Sequence, residues 1–501
     1  MDFFYNLGVG FQQVLQPINL LYCFGGVFLG TLIGVLPGIG PVGTMCMLFP
    51  LVMASTPLAG IMIMAGVYYG AMYGGSTTSI LVNIPGEAAS VITCLDGYQM
   101  ARQGRAGPAL GISAMGSFIG GTVSVILLSL LSIPLAKIAL NLGPAEYSGL
   151  MTMGLAMTIY LSGHSLAKGG IMAVLGLLLG CIGTDLVTGK VRFAYGFDVL
   201  YDGFSMAPMA MGLFGISEVL NNLDSEERLI FKTSVRNVLP NLQDWKRSAF
   251  PIARGSILGF FLGLIPGGGA LIASFVSYAV EKKISRHPEE FGKGAIEGVA
   301  GPETANNAAV AGAFIPLFAL GIPSNVVMAV LMTTFIIYGV APGPRFMATN
   351  LELFWGIIAS MYIGNVMLLL LNLPLVGIWI KLLKIPYRIL FPLILLFCAI
   401  GVYSIDYKTF DVYAMIAFGL IGYVLRRYDY PLAPIVFAFV LGPMLEDSFR
   451  QCTIIGSNDL SYFWGRPIAL VSFAISIFLF ASGLFSQLRN KAMESGALEK
   501  D

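Results

Sequence analysis

The chain has 501 residues, of which 56% are hydrophobic and 11% charged, with a mean hydropathy of +0.82 and a net charge of +1. Soluble domains carry about a quarter charged residues, so a water-soluble globular protein is excluded. The near-zero charge also excludes a chain that holds nucleic acid through a long-range positive field.

About 20 apolar residues are needed to cross a bilayer. Runs near that length lie at 18–36, 58–82, 109–133, 147–161, 166–184, 205–221, 353–380, 389–404, 410–425 and 467–487. Segments at 42–55, 250–282, 295–320, 324–341 and 431–445 are shorter or interrupted by Gly and Pro. The expectation is an all-α polytopic membrane protein with about 12 spanning segments, plus others that only dip in. No basic region precedes the first apolar run, which argues against a cleaved signal peptide, and the bacterial inner membrane is the expected location. Cys23, Cys46, Cys94, Cys181, Cys398 and Cys452 are scattered singly and read as small packing residues.

One phrase occurs twice. GTLIGVLPGIGP runs from Gly30 to Pro41, and GFFLGLIPGGGA from Gly259 to Ala270, 229 positions later. The identical positions are Gly30/Gly259, Gly34/Gly263, Pro37/Pro266, Gly38/Gly267 and Gly40/Gly269, all Gly or Pro. Pro lacks a backbone N–H and Gly lacks conformational restraint, so each phrase should break a helix. Within a bilayer such a break survives only where protein or a polar cavity satisfies the freed groups. A break repeated in two halves points to a transporter binding site.

The halves are expected at 1–222 and 255–487, joined by a polar cytoplasmic linker at 223–254 and followed by a polar tail at 488–501. A second polar interval spans 281–293, and the remaining loops read as short. No Lys or Arg precedes Arg102, whereas Arg228, Lys232, Arg236, Lys246, Arg247 and Arg254 lead into the second copy. By the positive-inside rule the two copies are entered from opposite sides, as in an inverted repeat with paired re-entrant hairpins. At an offset of 228, Gly70 to Ser79 aligns with Gly298 to Asn307. Second breaks follow at Asn83-Ile84-Pro85-Gly86 and Gly321-Ile322-Pro323-Ser324, about ten residues further along in the second half.

Each break starts a new half-helix whose free N–H groups suit a carboxylate. Unwound carbonyls suit Na+, a hard cation that prefers oxygen. Substrate contacts are therefore expected from Gly38, Gly40, Asn83, Gly86, Gly267, Gly269, Asn306, Asn307, Pro323, Ser324 and Asn325. Na+ contacts are expected from Gly38, Gly40, Ser76, Thr77, Thr78, Gly267, Gly269 and Thr304. The alternative for each Gly-Pro break is a kink that lets helices pack closely, and small hydroxyl residues also serve that end. Glu87, Asp96 and Glu303 flank the breaks as possible partners of a proton or Na+, and Arg345 reads as an interface anchor. His164 and His287 suggest no site. No HExxH, GxSxG, P-loop or metal-ligand spacing is present, so an enzyme is not indicated.

Five strings carry a resemblance: GVLPGIGP at 34–41, YGGSTTSILVNIPGE at 73–87, LDGYQMARQGRAGPAL at 95–110, FGKGAIEGVAGPETANNAAVAGAFIPLFALGIP at 291–323 and APGP at 341–344. In these the chain resembles the large membrane subunit of the tripartite tricarboxylate transporter family, TctA-type. The resemblance implies a secondary carrier for tricarboxylates or other organic acids, including dicarboxylates and aromatic acids, driven by Na+ or H+. It also implies two partners, a small four-helix membrane subunit (TctB-type) and a periplasmic solute-binding protein (TctC-type). By similarity to carriers with paired hairpins, an elevator-type movement is expected. No cofactor is implied beyond the coupling ion. The chain departs from the family at Leu320 to Asn325, where Ser324 and Asn325 replace the usual Gly-Ser and narrow the site. The rival readings are an anion channel, since half-helices also build channel filters, and a structural scaffold subunit.

Overall fold

A computed structural model describes residues 3–36, 40–161, 165–185, 187–223, 238–382, 387–457 and 459–494. Pro37, Gly38, His164 and 224–237 of the expected linker lie outside the described residues. The described chain is almost wholly helical. It begins with α1 (Phe3–Val14), α2 (Pro17–Val35), the short α3 (Gly40–Met47) and α4 (Phe49–Met53), and α5 (Pro57–Val82). Next come α6 (Thr93–Arg102), α7 (Ala106–Ala139), α8 (Pro144–Leu161) and α9 (Leu166–Gly180). A two-stranded antiparallel ladder, β1 (Gly183–Thr184) with β2 (Val191–Arg192), leads to α10 (Met206–Ala210) and α11 (Ser217–Leu223). A π-helical turn at Met211–Ile216 separates those two helices.

The second part holds α12 (Leu242–Gly263), α13 (Gly269–Ile284), α14 (Glu297–Leu320), α15 (Val326–Ile337) and α16 (Phe346–Thr349). It continues through α17 (Leu351–Asn372), α18 (Val376–Leu382), α19 (Tyr387–Asp406), α20 (Thr409–Arg427), α21 (Ala433–Ile455) and α22 (Pro467–Glu494). Among the described residues, six helices are long and apolar enough to cross a membrane: α2, α5, α7, α17, α20 and α22. The others are cut short by the Gly and Pro breaks or carry charges.

Two helix pairs form the centre, and both are built on glycine. On α2, a Cβ added at Gly26, Gly30 or Gly34 would lie 2.7, 2.7 or 2.3 Å from the carbonyl oxygen of Ile63, Val67 or Ala71 on α5. On α12, a Cβ at Gly255, Gly259 or Gly263 would lie 2.6, 2.2 or 2.2 Å from the carbonyl of Gly301, Ala305 or Ala309 on α14. Where lipid replaces water there is no hydrophobic drive between helices, and such backbone-to-backbone approach supplies the cohesion. The repeated glycines therefore pack helices as well as interrupting them.

The contacts also set the register. The α2 and α12 glycines differ by 229, but their partners on α5 and α14 differ by 238. The correspondence at 228 aligned small residues without regard to what they touch. In the packed register Asn83 (φ 59°) answers Gly321 (φ 70°), and both end their helices in the left-handed conformation. Glu87, which caps the short turn Ala88–Val91, answers Asn325, which caps α15. Both α5 and α14 are buried nearly all round, as a helix without a polar face should be.

The loop from Ile182 to Ser205 is long and structured, contrary to the expectation of short loops. Gly183, Gly189, Gly196 and Gly203 adopt positive φ there, which lets the chain fold back on itself. Asp185 and Arg192 pin it to Arg450 and Glu446 of α21 through bonds of 2.7 to 3.1 Å.

Candidate functional site

The breaks converge on one cavity of about 470 Å³. Its wall takes Gly40, Pro41 and Val42 from the start of α3, and Gly268 to Leu271 from the start of α13. It takes Asn325, Val326 and Val327 from the start of α15, and Pro85 to Ala89 from the turn after α5. Three helix N-termini from distant parts of the chain thus open on the same space, each bringing first-turn N–H groups without intrahelical acceptors, one of them at α15 taken by the Asn325 cap, and a partial positive charge. Positive φ at Gly40 (64°) and Gly269 (51°) turns the chain into α3 and α13, a conformation that L side chains rarely adopt.

Tyr68, Met72, Phe214, Glu218 and Arg426 complete the lining. Arg426, in the last turn of α20, faces Glu218 of α11 at 3.6 Å, and both side chains are less than one-third exposed. This is a loose ion pair rather than a tight bidentate one, so the guanidinium retains donors for a second anion. Phe214 lies on the π-helical turn, a distortion that often marks functional sites. Asn325 caps α15 by accepting from the Met328 N–H at 3.0 Å and donates to the Tyr68 hydroxyl, also at 3.0 Å.

The expected site residues divide into two groups. Gly40, Gly86, Gly269 and Asn325 line the cavity. Gly38 lies outside the described residues. Gly267 does not face the cavity; it packs against Thr158 of α8, and its N–H bonds to the Ser324 carbonyl at 2.8 Å. Ser324 is fully buried, with its hydroxyl donating to the Ala313 carbonyl at 3.2 Å. Pro323 is buried outside the lining, and Asn83 sits exposed at the end of α5.

Asn306 and Asn307 lie inside α14, behind the cavity wall. Asn307 donates to Ser117 at 2.7 Å and borders a void of about 20 Å³, room for roughly one water. The Asn306 amide lies beside the Glu87 carboxylate. Among the expected Na+ contacts, Thr78 donates to the Gly75 carbonyl and Thr304 to the Ala300 carbonyl, at 3.1 and 2.7 Å. Thr77 is buried within α5. Ser76 donates to a carboxylate oxygen of Glu303, whose other oxygen accepts from Thr93. Asp96 is buried, accepting from the N–H groups of Gly292, Gly294 and Ala295 and from Tyr278 at 2.8 to 2.9 Å. That bonding makes Asp96 a structural staple. Arg345 does not line the cavity.

Sequence reading missed Arg426 and Glu218. Arg426 looked like an ordinary charge closing an apolar run. Glu218, inside the run at 205–221, carried the signal that an intramembrane carboxylate provides.

A family model for the tripartite tricarboxylate transporter TctA family matches residues 20–437, nearly the whole described core. The chain belongs to that family. It is therefore related to transporter components rather than to enzymes, and to the large component of tripartite systems. It is 49% identical over 98% of both chains to an uncharacterized 52.8 kDa protein in the TAR-I ttuC′ 3′ region of Agrobacterium vitis. It is 52% identical, over 46% of this chain and 96% of the relative, to an uncharacterized protein in the TAR-II ttuC′ 3′ region of the same organism. No solved structure matches it.

Proposed function

We propose that this TctA-family chain is the permease of a secondary carrier that imports an organic carboxylate, with inward movement of Na+ or H+ as the driving reaction. The observation that carries this reading is the single cavity into which the N-termini of α3, α13 and α15 and the Arg426 side chain all open. Its volume of about 470 Å³ falls in the range of about 300–1,000 Å³ usual for small-molecule sites. Helix N-termini and a guanidinium with spare donors bind carboxylates by charge-assisted hydrogen bonds. The class of acid follows the family, a tricarboxylate, dicarboxylate or aromatic acid, with Tyr68, Met72 and Phe214 offering apolar surface to its carbon skeleton.

In this reading the two halves are inverted repeats that cradle the substrate between them near mid-membrane. The matching glycine register of α2/α5 and α12/α14 supports that reading, as does the contrast between a first entry segment without Lys or Arg and a second rich in them. The substrate arrives from a periplasmic solute-binding protein, and a small four-helix subunit completes the assembly in the bacterial inner membrane. Movement is of the elevator type, with the cavity carried across as a unit. The test is uptake of labelled carboxylates by cells or proteoliposomes containing both membrane subunits and the binding protein. Uptake should collapse when the sodium and proton gradients are dissipated. Flux that continues unchanged without either gradient would reject the carrier in favour of a channel.

A further inference from the structure

We propose that Glu87, Glu303 and Asn306, with the hydroxyls of Ser76 and Thr93, form a binding site for a monovalent cation of Na+ size, on the far side of Glu87 from the anion cavity. The proposal rests on the carrier reading above and names the residues that would link the two ligands.

Glu303 is 1% exposed within α14, and among the described residues no Lys, Arg or His pairs with it. Only two hydroxyls face its carboxylate, from Ser76 and Thr93. Glu87 is a second carboxylate in the same place. Its Cγ packs within 3.0 Å of the Cβ position of Gly75, next to the Ser76 that holds Glu303. Glu303 is buried and Glu87 half-buried at the cavity wall; two carboxylates so placed without a counter-charge are costly, because low dielectric strengthens their repulsion and removes their hydration.

The independent pointer to a ligand is Asn306. It is fully buried, lies three residues past Glu303 and so on the same face of α14, and neither atom of its amide makes a well-formed hydrogen bond, although the amide lies close to the Glu87 carboxylate. The Oε1 atom of Glu87 beside it is also buried without a partner, while the Glu87 side chain accepts a capping bond from Ser90. Orphaned buried polar atoms are rare in folded proteins and costly to leave unsatisfied. Two unpartnered oxygens beside a charged pair are what a hard, oxygen-seeking cation requires.

The packed register strengthens the case. At the offset of 238 that relates α5 to α14, Glu87 answers Asn325 and Asn306 answers Tyr68. The second-half cap is satisfied and neutral, with Asn325 bonded to Tyr68 at 3.0 Å. The first-half cap has an acid in place of the amide, and its partner across the interface is left unbonded. Other charged groups near α14 are already engaged: Asp96 with Tyr278 and three backbone N–H groups, and Glu281 with Arg254 at 2.5 Å. Cys94 is the remaining titratable neighbour of Glu303.

Charge explains why such a site belongs beside the cavity. Glu87, Glu218 and Arg426 give its lining a formal charge of −1, which opposes an incoming anion. Neutralising Glu87 from behind brings the lining to zero, so occupancy of one site favours the other by mutual coupling.

The test is thermal unfolding of the purified chain in detergent, without carboxylate, titrated with NaCl against choline chloride at constant ionic strength, alongside equilibrium binding of radioactive Na+. The wild-type chain should be stabilised saturably by Na+ and not by choline. Glu303→Gln and Asn306→Ala should each weaken half-saturation by about 10- to 100-fold. If either variant fails to fold, Glu87→Gln carries the same expectation. Arg426→Gln should keep the Na+ response while losing stabilisation by carboxylates. A wild-type Na+ response with no carboxylate response from any acid would sink the carrier reading and leave the cation site standing. Equal effects of Na+ and choline, or a wild-type Na+ response in Glu303→Gln, would overturn the cation site.

Discussion

Replacing Gly86 by Ala adds one methyl group where three atoms already stand. Its Cβ would lie 2.0 Å from the Gly34 carbonyl oxygen, 2.6 Å from the Gly75 Cα and 2.6 Å from the Thr78 hydroxyl. Real Cβ contacts essentially never fall below 3.0 Å, so about 1 Å of relief must come from two backbones that are themselves locked together. Overpacking of this kind costs about 1–3 kcal/mol. The same displacement moves Glu87, the next residue, away from the cavity wall. Gly25→Ala is the matched control, because its Cβ would have nothing within 4 Å. Buried free cysteines such as Cys23, Cys46 and Cys398 allow unfolding to be followed in detergent with a thiol-reactive dye. Gly86→Ala should melt several degrees below wild type and lose carboxylate binding, while Gly25→Ala should match wild type in both. If Gly86→Ala melts and binds like Gly25→Ala, the close approach of the first half's two breaks is refuted.

Asp96→Asn should destabilise the chain by about 1–3 kcal/mol, because the amide keeps one oxygen for the three N–H groups but loses the negative charge they bond and turns a donor toward the Tyr278 hydroxyl; equal melting of mutant and wild type would contradict this. Arg450, beside Asp185, holds that carboxyl well below its ordinary value of 3.8. The loop anchor is therefore at full strength above about pH 4 and is lost as pH falls below it. Protease sensitivity of the loop from Ile182 to Ser205 should rise on acidification, and Asp185→Asn should show the raised sensitivity already at neutral pH. Arg426→Gln should weaken carboxylate binding by about 10- to 100-fold, the equivalent of one or two charge-assisted hydrogen bonds. Glu218→Gln should preserve or tighten binding by freeing the guanidinium, and loss of binding there would count against the assigned roles.

Most of the helices were legible because hydropathy and chain-breaking residues report directly on how a segment meets lipid. The runs at 18–36, 58–82 and 467–487 coincide closely with α2, α5 and α22. The duplicated Gly-Pro phrase located Gly40 and Gly269, both of which reach the cavity. Side-chain direction was not legible. Asn306 and Thr304 sit in the same apolar helix, yet one faces Glu87 and the other packs against Gly116 and Gly120 of α7. Composition cannot tell those faces apart when every face is buried. A ten-residue discrepancy showed in the spacing to the second breaks, but the sequence did not place it between α2/α12 and α5/α14, because small residues align with small residues until the contacts of each are known. Arg426 lies more than 140 residues beyond α13, and only the fold brings it to the cavity.

A ligand-bound structure, determined by electron cryomicroscopy with saturating carboxylate and Na+, tests the central claim most directly. The account predicts carboxylate density among the N-termini of α3, α13 and α15, within hydrogen-bonding distance of Arg426. Density bound elsewhere on the chain, with those N-termini facing water, would contradict it.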